Sequence, residues 1–414
     1  MPVDSLNILL LTRYFPPEIG TAANLFFELA RGLSKRGHKI TVVTGFPWYN
    51  LKEVPEKYNK GSFLREFQDG FEIIRIRAPV FGPHKLKLAS GHLTAPICSV
   101  IGGLLVNNPH VIFLYSPPLF MGLSGWIVSI FKGVPFIMGV QDLHPQCYID
   151  QGVLKNRFLI RVLETLEKFC YKKATLITVH SEGNKEHIVN IKGTDESKVR
   201  VLPNWIDTEE IMPLPRINWF SSKYELNDKF VVGYAGTLGM SQGLMSIIDG
   251  AKLLRNESDI LFFIVGDGIE KGKMESEVKR LNLDNVRFLP MQPKDIYPWV
   301  LASSDVQLVT LNKKVKTPVV PSKILSIMAA SRPVLASLPL DGDAPKLIKE
   351  AECGLCVEPE DPHGIAEAIL KLKKDKGLRD KLSQSGRSFV EKHLSLNVIV
   401  ESLEEILFEA INNR

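Results

Sequence analysis

The chain has 414 residues, of which 45% are hydrophobic, 23% charged and 8% aromatic. This composition is typical of globular proteins and excludes the disordered, collagenous and coiled-coil classes. The length predicts two or three domains. The net charge of +5 is divided unevenly, because residues 1–200 carry +8 and residues 201–414 carry −3. We therefore expect the first half to face an anionic partner: nucleic acid, a lipid head group and a phosphorylated substrate all fit that charge.

Sparse cysteines and one interrupted apolar run indicate the cellular compartment. Five cysteines are an odd set that predicts no disulfide framework, and Cys353 and Cys356 lack the second pair that a zinc site needs. The longest apolar run, residues 119–140, contains Lys132 and Pro135. It therefore predicts a buried helix followed by a strand rather than a membrane span. We expect a cytoplasmic protein that is at most peripheral at the inner face of a membrane.

Strands and helices alternate through the first half of the chain. Residues 6–12 and 40–44 are short apolar runs, and between them apolar residues recur at helical spacing from Leu25 to Leu33. A strand, a helix and a strand in this order form a βαβ unit, which predicts a parallel sheet. Further strands are predicted at residues 71–77, 111–115, 136–141, 176–180 and 199–203.

A second alternation follows a polar, proline-rich stretch at residues 203–228, which we interpret as a linker. Helical patterns lie between its strands and continue through residues 378–414. The sequence thus predicts two α/β sheets in tandem. Ligands of such sheets bind beyond the carboxyl ends of the strands, so the loops there are the candidate sites. The strands are predicted at residues 230–235, 260–265, 286–289, 306–311, 333–337 and 355–357.

Three loops in the second half have features of anion sites. Residues 236–243 hold three glycines between a strand and a helix, which suits a phosphate-facing loop, although a structural turn fits equally well. Residues 266–268 place an aspartate at a strand end, where an acid often binds a ribose, but Asp-Gly is also a common plain turn. Ser322 is a candidate N-cap, and Lys323 in the first helical turn opposes the helix dipole. A bound anion would explain that lysine, and a solvated side chain is the alternative.

Two loops in the first half also follow predicted strands. Gly20 would let a ligand approach the backbone at a helix start with Thr21 as the candidate N-cap, and a plain turn is the alternative. Asp142 and His144 are candidates for proton transfer or for holding hydroxyl groups. An aspartate that only caps the turn before Pro145 is the competing interpretation.

Seven short segments occur in order along the chain: Phe-Pro-Pro-Glu at 15–18, Arg-Gly-His at 36–38, Val-Leu-Pro-Asn-Trp-Ile-Asp at 201–207, Tyr-Ala-Gly at 234–236, Val-Gly-Asp-Gly at 265–268, Asn-Val-Arg-Phe at 285–288 and Met-Ala-Ala-Ser-Arg-Pro-Val at 328–334. Their succession over nearly the whole chain resembles the glycosyltransferases of family four. That family has the GT-B fold, in which two Rossmann-like α/β domains face a central cleft. Gln-Asp-Leu-His-Pro at 141–145 and Pro-Ser-Lys at 321–323 are similar to the subgroup that builds surface polysaccharides, including fucosaminyltransferase-like and colanic-acid-type members.

The resemblance implies a retaining transfer of a sugar from a nucleoside-diphosphate donor, without a bound metal or cofactor. It also implies an acceptor-binding domain at residues 1–205, a nucleotide-sugar-binding domain at 206–385 and a helical tail at 386–414 that packs back on the first domain. The catalytic candidates are Asp142, His144 and Lys323. The matching donor-binding positions are Gly20, Thr21, Gly236, Thr237, Gln242, Gly243, Gly266, Asp267, Gly268, Arg287, Phe288, Pro321, Ser322, Lys323 and Ile324.

The chain departs from the commoner pattern of that family at its carboxylates and its cations. Two glutamates eight residues apart are usual there, but their places here hold Pro318 and Ser326, and no glutamate occurs from residue 278 to residue 349. Thr237 and Gln242 lie near the places of the usual arginine and lysine of the phosphate loop. The predicted phosphate loop therefore has no cation of its own.

Lys323 is then the best remaining cation to neutralise a departing diphosphate. An oxygen of the leaving phosphate is expected to take the proton of the acceptor hydroxyl, with Asp142 as the second candidate. The predicted donor is a UDP-linked N-acetylated hexosamine or deoxyhexosamine, and the predicted acceptor is a lipid-linked or oligosaccharide glycan of the cell envelope. A nucleotide-sugar epimerase and a non-catalytic nucleotide-sugar-binding protein are the alternatives.

The basic first half favours an anionic acceptor, such as a polyprenyl-diphosphate-linked sugar at the cytoplasmic membrane face. Residues 85–106, with Lys85 and Lys87 ahead of an apolar stretch, are a candidate peripheral membrane contact, and a buried helix is the alternative. Nucleic-acid binding is disfavoured because the basic residues are dispersed and no aromatic side chains are interleaved with them. The sequence predicts no particular oligomeric state.

Overall fold

The computed structural model describes residues 5–49, 51, 53–82, 84–316 and 318–413, except for the side chains of residues 84–89. The chain forms two compact units. The first comprises Met1–Asn204 together with Leu396–Arg414, and the second comprises Trp205–Ser395. The second unit thus extends ten residues beyond the predicted end of the C-terminal domain.

The first unit is built on an eight-stranded sheet with the order β3-β4-β2-β1-β5-β6-β7-β8. Its strands pair in parallel, except that β3 is antiparallel to β4. The edge strand β3 was not predicted, because its phenylalanines are exposed and no continuous apolar run marks it. The strands are β1 (Asn7–Leu11), β2 (Lys39–Gly45), β3 (Phe63–Gln68), β4 (Phe71–Ile76), β5 (Val111–Ser116), β6 (Phe136–Val140), β7 (Leu176–Val179) and β8 (Val199–Val201).

Helices of the first unit cover the sheet through apolar side chains. Leu114 and Met138 of the sheet share one buried cluster with Cys98 of α2, Val128 of α3 and Cys170 of α5, so these three helices lie on the same face. The predicted helix and strand at residues 119–140 are confirmed as α3 and β6. The helices are α1 (Thr21–Lys35), α2 (His84–Leu105), α3 (Met121–Lys132), α4 (Gln146–Asp150), α5 (Arg157–Lys173) and α6 (Glu182–Glu186).

The second unit has a six-stranded parallel sheet with the order β11-β10-β9-β12-β13-β14. Its strands are β9 (Phe230–Ala235), β10 (Ile260–Val265), β11 (Val286–Leu289), β12 (Val306–Thr310), β13 (Val334–Ser337) and β14 (Gly354–Val357). Its helices are α7 (Trp219–Lys223), α8 (Met245–Leu253), α9 (Lys271–Leu281), α10 (Tyr297–Ala302), α11 (Ser322–Ala329), α12 (Asp343–Glu350), α13 (Pro362–Lys374) and α14 (Lys376–Phe389). The predicted class of two α/β sheets is therefore confirmed.

The last helix, α15 (Leu396–Asn412), returns to the first unit. The Leu6 N–H donates to His38 Nδ1 at 3.1 Å, so Nε2 carries the ring proton and donates to Glu404 of α15 at 2.7 Å. Arg36 donates to the same carboxylate at 2.8 Å. Since His38 and Glu404 are buried, this network fixes α15 against the sheet.

In each sheet the chain adds strands first on one side of the unit's first strand and then on its other side. In the first unit β5 lies next to β1 on the side opposite to β2, and in the second unit β12 lies next to β9 on the side opposite to β10. At such a reversal the loops beyond the strand ends diverge and leave a crevice in which ligands bind. Among the described residues, no helix combines the length and the apolar character needed to cross a bilayer.

Candidate functional site

Glycines bring the loops after β9 and β10 into backbone contact. Gly236 has a φ of +137°, and a Cβ atom there would overlap the side chain of Lys323. A Cβ atom on Gly266 would overlap the carbonyl of Gly236, and one on Gly268 would overlap the backbone of Leu238. Three predicted glycines are therefore close together, and each is required by its packing.

Lys323 extends along this loop from the first turn of α11. Its Nζ lies 4.0 Å from the centroid of the Tyr234 ring and donates a short hydrogen bond to the Tyr234 hydroxyl. That hydroxyl donates to the Thr237 carbonyl at 2.9 Å. The missing side chain of Gly236 leaves the space that the lysine stem occupies. The side chain is therefore packed on β9, and a freely solvated lysine is not what the structure shows.

The charge of Lys323 is poorly stabilised in the free protein. Burial lowers the pKa of its ammonium to about 7. In the part of the chain that the structure describes, no carboxylate forms an ion pair with it, and its partner Tyr234 stays neutral because burial raises the pKa of the phenol. An anion placed beside the amine would favour the charged form. The geometry therefore suits a lysine that gains its charge together with a bound anion.

Side chains also hold the end of the loop at residues 236–243 after β9, which we call the glycine loop. Gln242 Oε1 accepts a hydrogen bond from the Gly239 N–H at 3.0 Å. Gly243, with a φ of +60°, lies against the backbone of Asn312, the second residue after β12. The Asn312 side chain donates to the Met240 carbonyl at 2.8 Å. The loops after β9 and β12 are thus tied to each other at the strand-order reversal.

Three other predicted donor-binding side chains already have partners. Arg287 donates to the Tyr224 carbonyl, and Phe288 packs on a buried apolar cluster. Asp267 is exposed, and its carboxylate accepts from Lys271 Nζ at 2.8 Å and from a backbone N–H after β11 at 2.7 Å. Contacts within the loop and the core therefore account for the positions of these three side chains in the free protein.

The two predicted helix starts differ from expectation by one residue. Pro321 and Gly20 are the N-cap residues, whereas Ser322 and Thr21 are the first residues of α11 and α1. Neither start has a side-chain cap. Ile324 is fully buried, and its N–H donates to the Pro321 carbonyl at 3.0 Å, so it offers no free donor to a diphosphate.

A cavity of about 290 Å³ opens in the first unit where β5 lies beside β1. Its lining includes Tyr14 and Gly20 in the loop after β1, Tyr115 in β5 and Asp142 after β6. No atom lies within 4 Å of the position that a Cβ on Gly20 would occupy, so the backbone at the start of α1 is open. The structure therefore brings Gly20, Thr21 and Asp142 to one cavity, as their positions after strands predicted.

Burial favours the neutral form of both Asp142 and His144. Asp142 is exposed to the cavity but surrounded by protein on its other sides, and this burial raises the pKa of its carboxyl. Burial, with a smaller effect of His92, lowers the pKa of His144 to about 4. The His144 ring stands edge-on to Tyr148, with 4.6 Å between centroids. Asp142 borders the cavity, whereas His144 is not among the residues that line it.

Residues that the sequence pattern did not single out support this cavity. The buried Arg13 and Glu18 form an ion pair of 3.6 Å, and Glu18 also accepts the Trp48 N–H at 3.0 Å. The Tyr14 hydroxyl lies 3.1 Å from His92 Nε2. Glu18 belongs to the Phe-Pro-Pro-Glu segment, which was the available signal, but its partners are distant in sequence.

Residues 20–205 match the family "Glycosyl transferase 4-like domain", and residues 216–389 match the family "Glycosyl transferases group 1". Together the two matches span both units except for their ends. The chain belongs to the family-four glycosyltransferases.

Individual relatives of this glycosyltransferase have low sequence identity, but the similarity extends over more than half of each chain. It is 24% identical over 381 residues to the putative colanic acid biosynthesis glycosyl transferase WcaI of Escherichia coli, covering 88% of this chain and 92% of that one. It is 23% identical over 254 residues to an N-acetylgalactosaminyltransferase of Campylobacter jejuni named for a diphospho-undecaprenol acceptor, covering 61% and 66% of the two chains. The Anabaena protein HepE, crystallised with UDP, has the same fold with a TM-score of 0.74, 18% identity, and coverage of 98% and 100%.

The glycosyltransferase lacks the usual glutamate pair, and the structure shows what replaces its second member. Ser326 is buried in α11 and forms a hydrogen bond with Tyr297 of α10. Tyr234 was not predicted as a site residue, although its place near the end of a strand, two residues before Gly236, was a usable signal. Its contact with Lys323 crosses 89 positions of sequence, which no local pattern indicates.

Proposed function

We propose that this glycosyltransferase transfers a sugar with retention of configuration from a UDP-linked donor to a lipid-linked or oligosaccharide acceptor of a cell-envelope polysaccharide. The donor sugar is an N-acetylated hexosamine or deoxyhexosamine, and no bound metal takes part. The observation that carries the proposal is the placement of Lys323. This partly buried amine lies between the loop after β9 and the start of α11, where the strand order reverses.

The chemistry requires charge stabilisation on the leaving diphosphate. Negative charge accumulates on the phosphate oxygen as the bond to the anomeric carbon breaks, so a cation aimed at that oxygen binds the transition state more tightly than the ground state. Lys323 and the glycine loop beside it provide the cation and accessible backbone. Tyr234 fixes the position of the lysine Nζ through its hydroxyl and its ring.

The acceptor site of this proposal is the cavity of the first unit. Tyr14, Tyr49 and Tyr115 contribute aromatic and hydroxyl surface that suits a sugar, and Asp142 contributes a carboxylate. A leaving phosphate oxygen takes the proton of the acceptor hydroxyl on the same face, so no enzyme nucleophile is needed. Asp142, whose pKa is raised by burial, holds that hydroxyl and is the second candidate for the proton.

The relatives support the substrate classes in this proposal. The Escherichia coli relative is named for colanic acid biosynthesis, and the Campylobacter relative is named for transfer to a diphospho-undecaprenol-linked sugar. The Anabaena structure contains UDP. A polyprenyl-diphosphate acceptor also agrees with the +8 charge of residues 1–200.

The test is a panel of nucleotide sugars incubated with the full chain, with and without a polyprenyl-diphosphate-linked sugar. We expect transfer of an N-acetylated sugar from a UDP donor only when the acceptor is present. Adding a metal chelator should leave this activity unchanged. NMR of the product should show that the anomeric configuration is retained. Sugar release or isomerisation without acceptor would indicate an epimerase instead, and nucleotide binding without turnover would indicate a binding protein.

The pKa of Lys323 leads to a separate prediction for nucleotide binding. Below about pH 7 the free enzyme already carries the ammonium, and above it the amine is neutral. A diphosphate raises the pKa, so UDP binding takes up a proton and its affinity falls as pH rises, by at most about tenfold per pH unit. Calorimetry at about pH 8.5 in buffers of different ionisation enthalpy should detect close to one proton per UDP.

Lys323→Met is the control for that measurement, because it removes the titrating amine and keeps most of the side-chain volume. The variant should bind UDP weakly and with no proton uptake that depends on Lys323. Proton uptake that persists in Lys323→Met would assign the linkage to another group.

A further inference from the structure

Tyr14 places a phenol hydroxyl at the cavity of the first unit, and a histidine from a distant helix contacts that hydroxyl. Tyr14 lies in the loop after β1 and lines the cavity together with Asp142. Its hydroxyl oxygen lies 3.1 Å from Nε2 of His92, a residue of α2 that is 78 positions away in sequence. His92 is not itself among the residues that line the cavity. It therefore acts on the cavity only through the tyrosine.

Both partners of this hydrogen bond are neutral at physiological pH. Burial raises the pKa of Tyr14 to about 12, although the charge of Arg13 opposes this effect. Burial lowers the pKa of His92 to about 4, and the charge of Arg13 acts in the same direction. A neutral imidazole nitrogen and a phenol share one hydrogen bond, in which one group donates and the other accepts. The contact therefore fixes a position and carries no charge.

The ring and the backbone of Tyr14 are also held in place. The guanidinium carbon of Arg13 lies 4.9 Å from the centroid of the Tyr14 ring and 5.1 Å from that of Trp48. The Tyr49 ring is tilted against the Tyr14 ring with 5.2 Å between the centroids. On the backbone, the Thr12 hydroxyl donates to the Tyr14 carbonyl at 2.9 Å. The phenol oxygen thus has a defined place in the cavity before any ligand binds.

The Tyr14 hydroxyl keeps hydrogen-bonding capacity for a ligand. A phenol can donate one hydrogen bond and accept others, and the contact with His92 uses one of them. Among the residues that the structure describes, no second group forms a hydrogen bond with this hydroxyl. Sugar hydroxyl groups both donate and accept, so they match either role that the phenol has left. The remaining capacity of Tyr14 therefore suits a hydroxyl group of a sugar in the cavity.

We propose that Tyr14 binds a non-reacting hydroxyl group of the acceptor sugar and that His92 is the positioning residue that holds the Tyr14 oxygen for this contact. The assignment rests on the proposed function and deepens it, because it divides the acceptor site between two groups. Asp142 holds the hydroxyl that reacts, whereas Tyr14 fixes a second point of the same sugar. Two fixed points define the orientation of the sugar, and a preformed partner costs less entropy on binding than a mobile one.

The first test removes the hydroxyl of Tyr14. Kinetics of the full chain are measured at saturating donor with a varied polyprenyl-diphosphate-linked sugar. Tyr14→Phe should raise the KM for this acceptor by about threefold to tenfold, which corresponds to the loss of one neutral hydrogen bond. The kcat should change by less than about twofold, because the contact is the same in the ground state and the transition state. The affinity for UDP should not change.

Tyr148→Phe is the matched control for this substitution. It removes the same atom from a tyrosine of the first unit that does not line the cavity, and phenylalanine keeps the ring contact with His144. The KM for the acceptor should therefore remain at the wild-type value.

A double-mutant cycle tests the role of His92. His92→Phe keeps an aromatic ring but removes Nε2, so the acceptor KM should rise by about twofold to fivefold. His92→Gln should restore most of the affinity, because its amide reaches about as far as Nε2. In the Tyr14→Phe background, His92→Phe should raise KM no further, since the atom that it positions is missing. A histidine that serves only packing would instead have the same effect in both backgrounds.

Binding of the acceptor without donor, measured by calorimetry, provides a readout that does not depend on transfer. Tyr14→Phe should weaken this binding by the same factor as it raises KM. Unchanged acceptor binding in Tyr14→Phe, an equal loss in Tyr148→Phe, or additive effects of Tyr14→Phe and His92→Phe would each overturn the proposal. If the wild type binds the acceptor but transfers no sugar, the proposed function fails, and the calorimetric differences between the variants still decide the roles of Tyr14 and His92.

Discussion

Replacing Lys323 with methionine is expected to lower kcat/KM for sugar transfer by about two to three orders of magnitude. The amine is the cation nearest the glycine loop in this proposal, and a cation that stabilises a developing oxyanion contributes about this much to the rate. The fold should be preserved, because methionine fills the space beside Gly236 and removes a charge that is costly to bury. Steady-state kinetics and thermal unfolding are the measurements.

Lys381→Met is the matched control for this substitution. Lys381 is 64% exposed on α14, and it forms a surface ion pair with Glu352 at 2.7 Å. Surface pairs of this kind contribute little to stability, so both kcat/KM and the melting temperature should remain at wild-type values. A Lys323→Met enzyme with full turnover would remove this residue from the mechanism.

Replacing Asp142 with asparagine is expected to lower kcat by about a hundredfold or more without changing the affinity for UDP. The side chain borders the cavity proposed for the acceptor, and the asparagine amide can neither accept a proton at neutral pH nor bind the hydroxyl as strongly as a carboxylate. Turnover with acceptor and calorimetric binding of UDP separate the two effects. The expected pattern differs from that of Lys323→Met, which lowers turnover and also weakens the binding of UDP.

Asp150→Asn provides a control in the same segment of the chain. Asp150 accepts a hydrogen bond from Gln146 within α4 at 2.7 Å, and it does not line the cavity. Its replacement should leave kcat unchanged. If Asp142→Asn also turns over at the wild-type rate, the leaving phosphate is the only base and the aspartate has no part in transfer.

The sequence predicted the alternation of strands and helices well because most strands are buried on both faces. Such strands appear as continuous apolar runs, as in Val111–Ser116 and Ile260–Val265. The edge strand Phe63–Gln68 has the opposite character, since its phenylalanines face solvent and charged residues alternate with them. Burial is a property of the assembled sheet, so a half-exposed edge has no strong sequence signal.

The candidate site was predictable in its motifs but not in its contacts. The unusual first-turn position of Lys323 and the nearby glycines could be seen in the sequence. Tyr234 and the loop around Gly236 could not be paired with that lysine, because β9 and α11 are brought together only by the order of strands in the sheet. Likewise, Asp142 and Gly20 meet at one cavity because β1 and β6, the strands that they follow, both lie beside β5.

The return of α15 to the first unit has a consequence for biosynthesis. Glu404, which neutralises Arg36 and accepts from His38, is translated more than three hundred and sixty positions after these partners. A nascent chain therefore exposes the α1 side of its first sheet throughout translation of the second unit. The second unit, in contrast, is continuous in sequence, so its core contains no segment that is translated after Ser395. Folding is thus expected to finish with the first-made half of the protein.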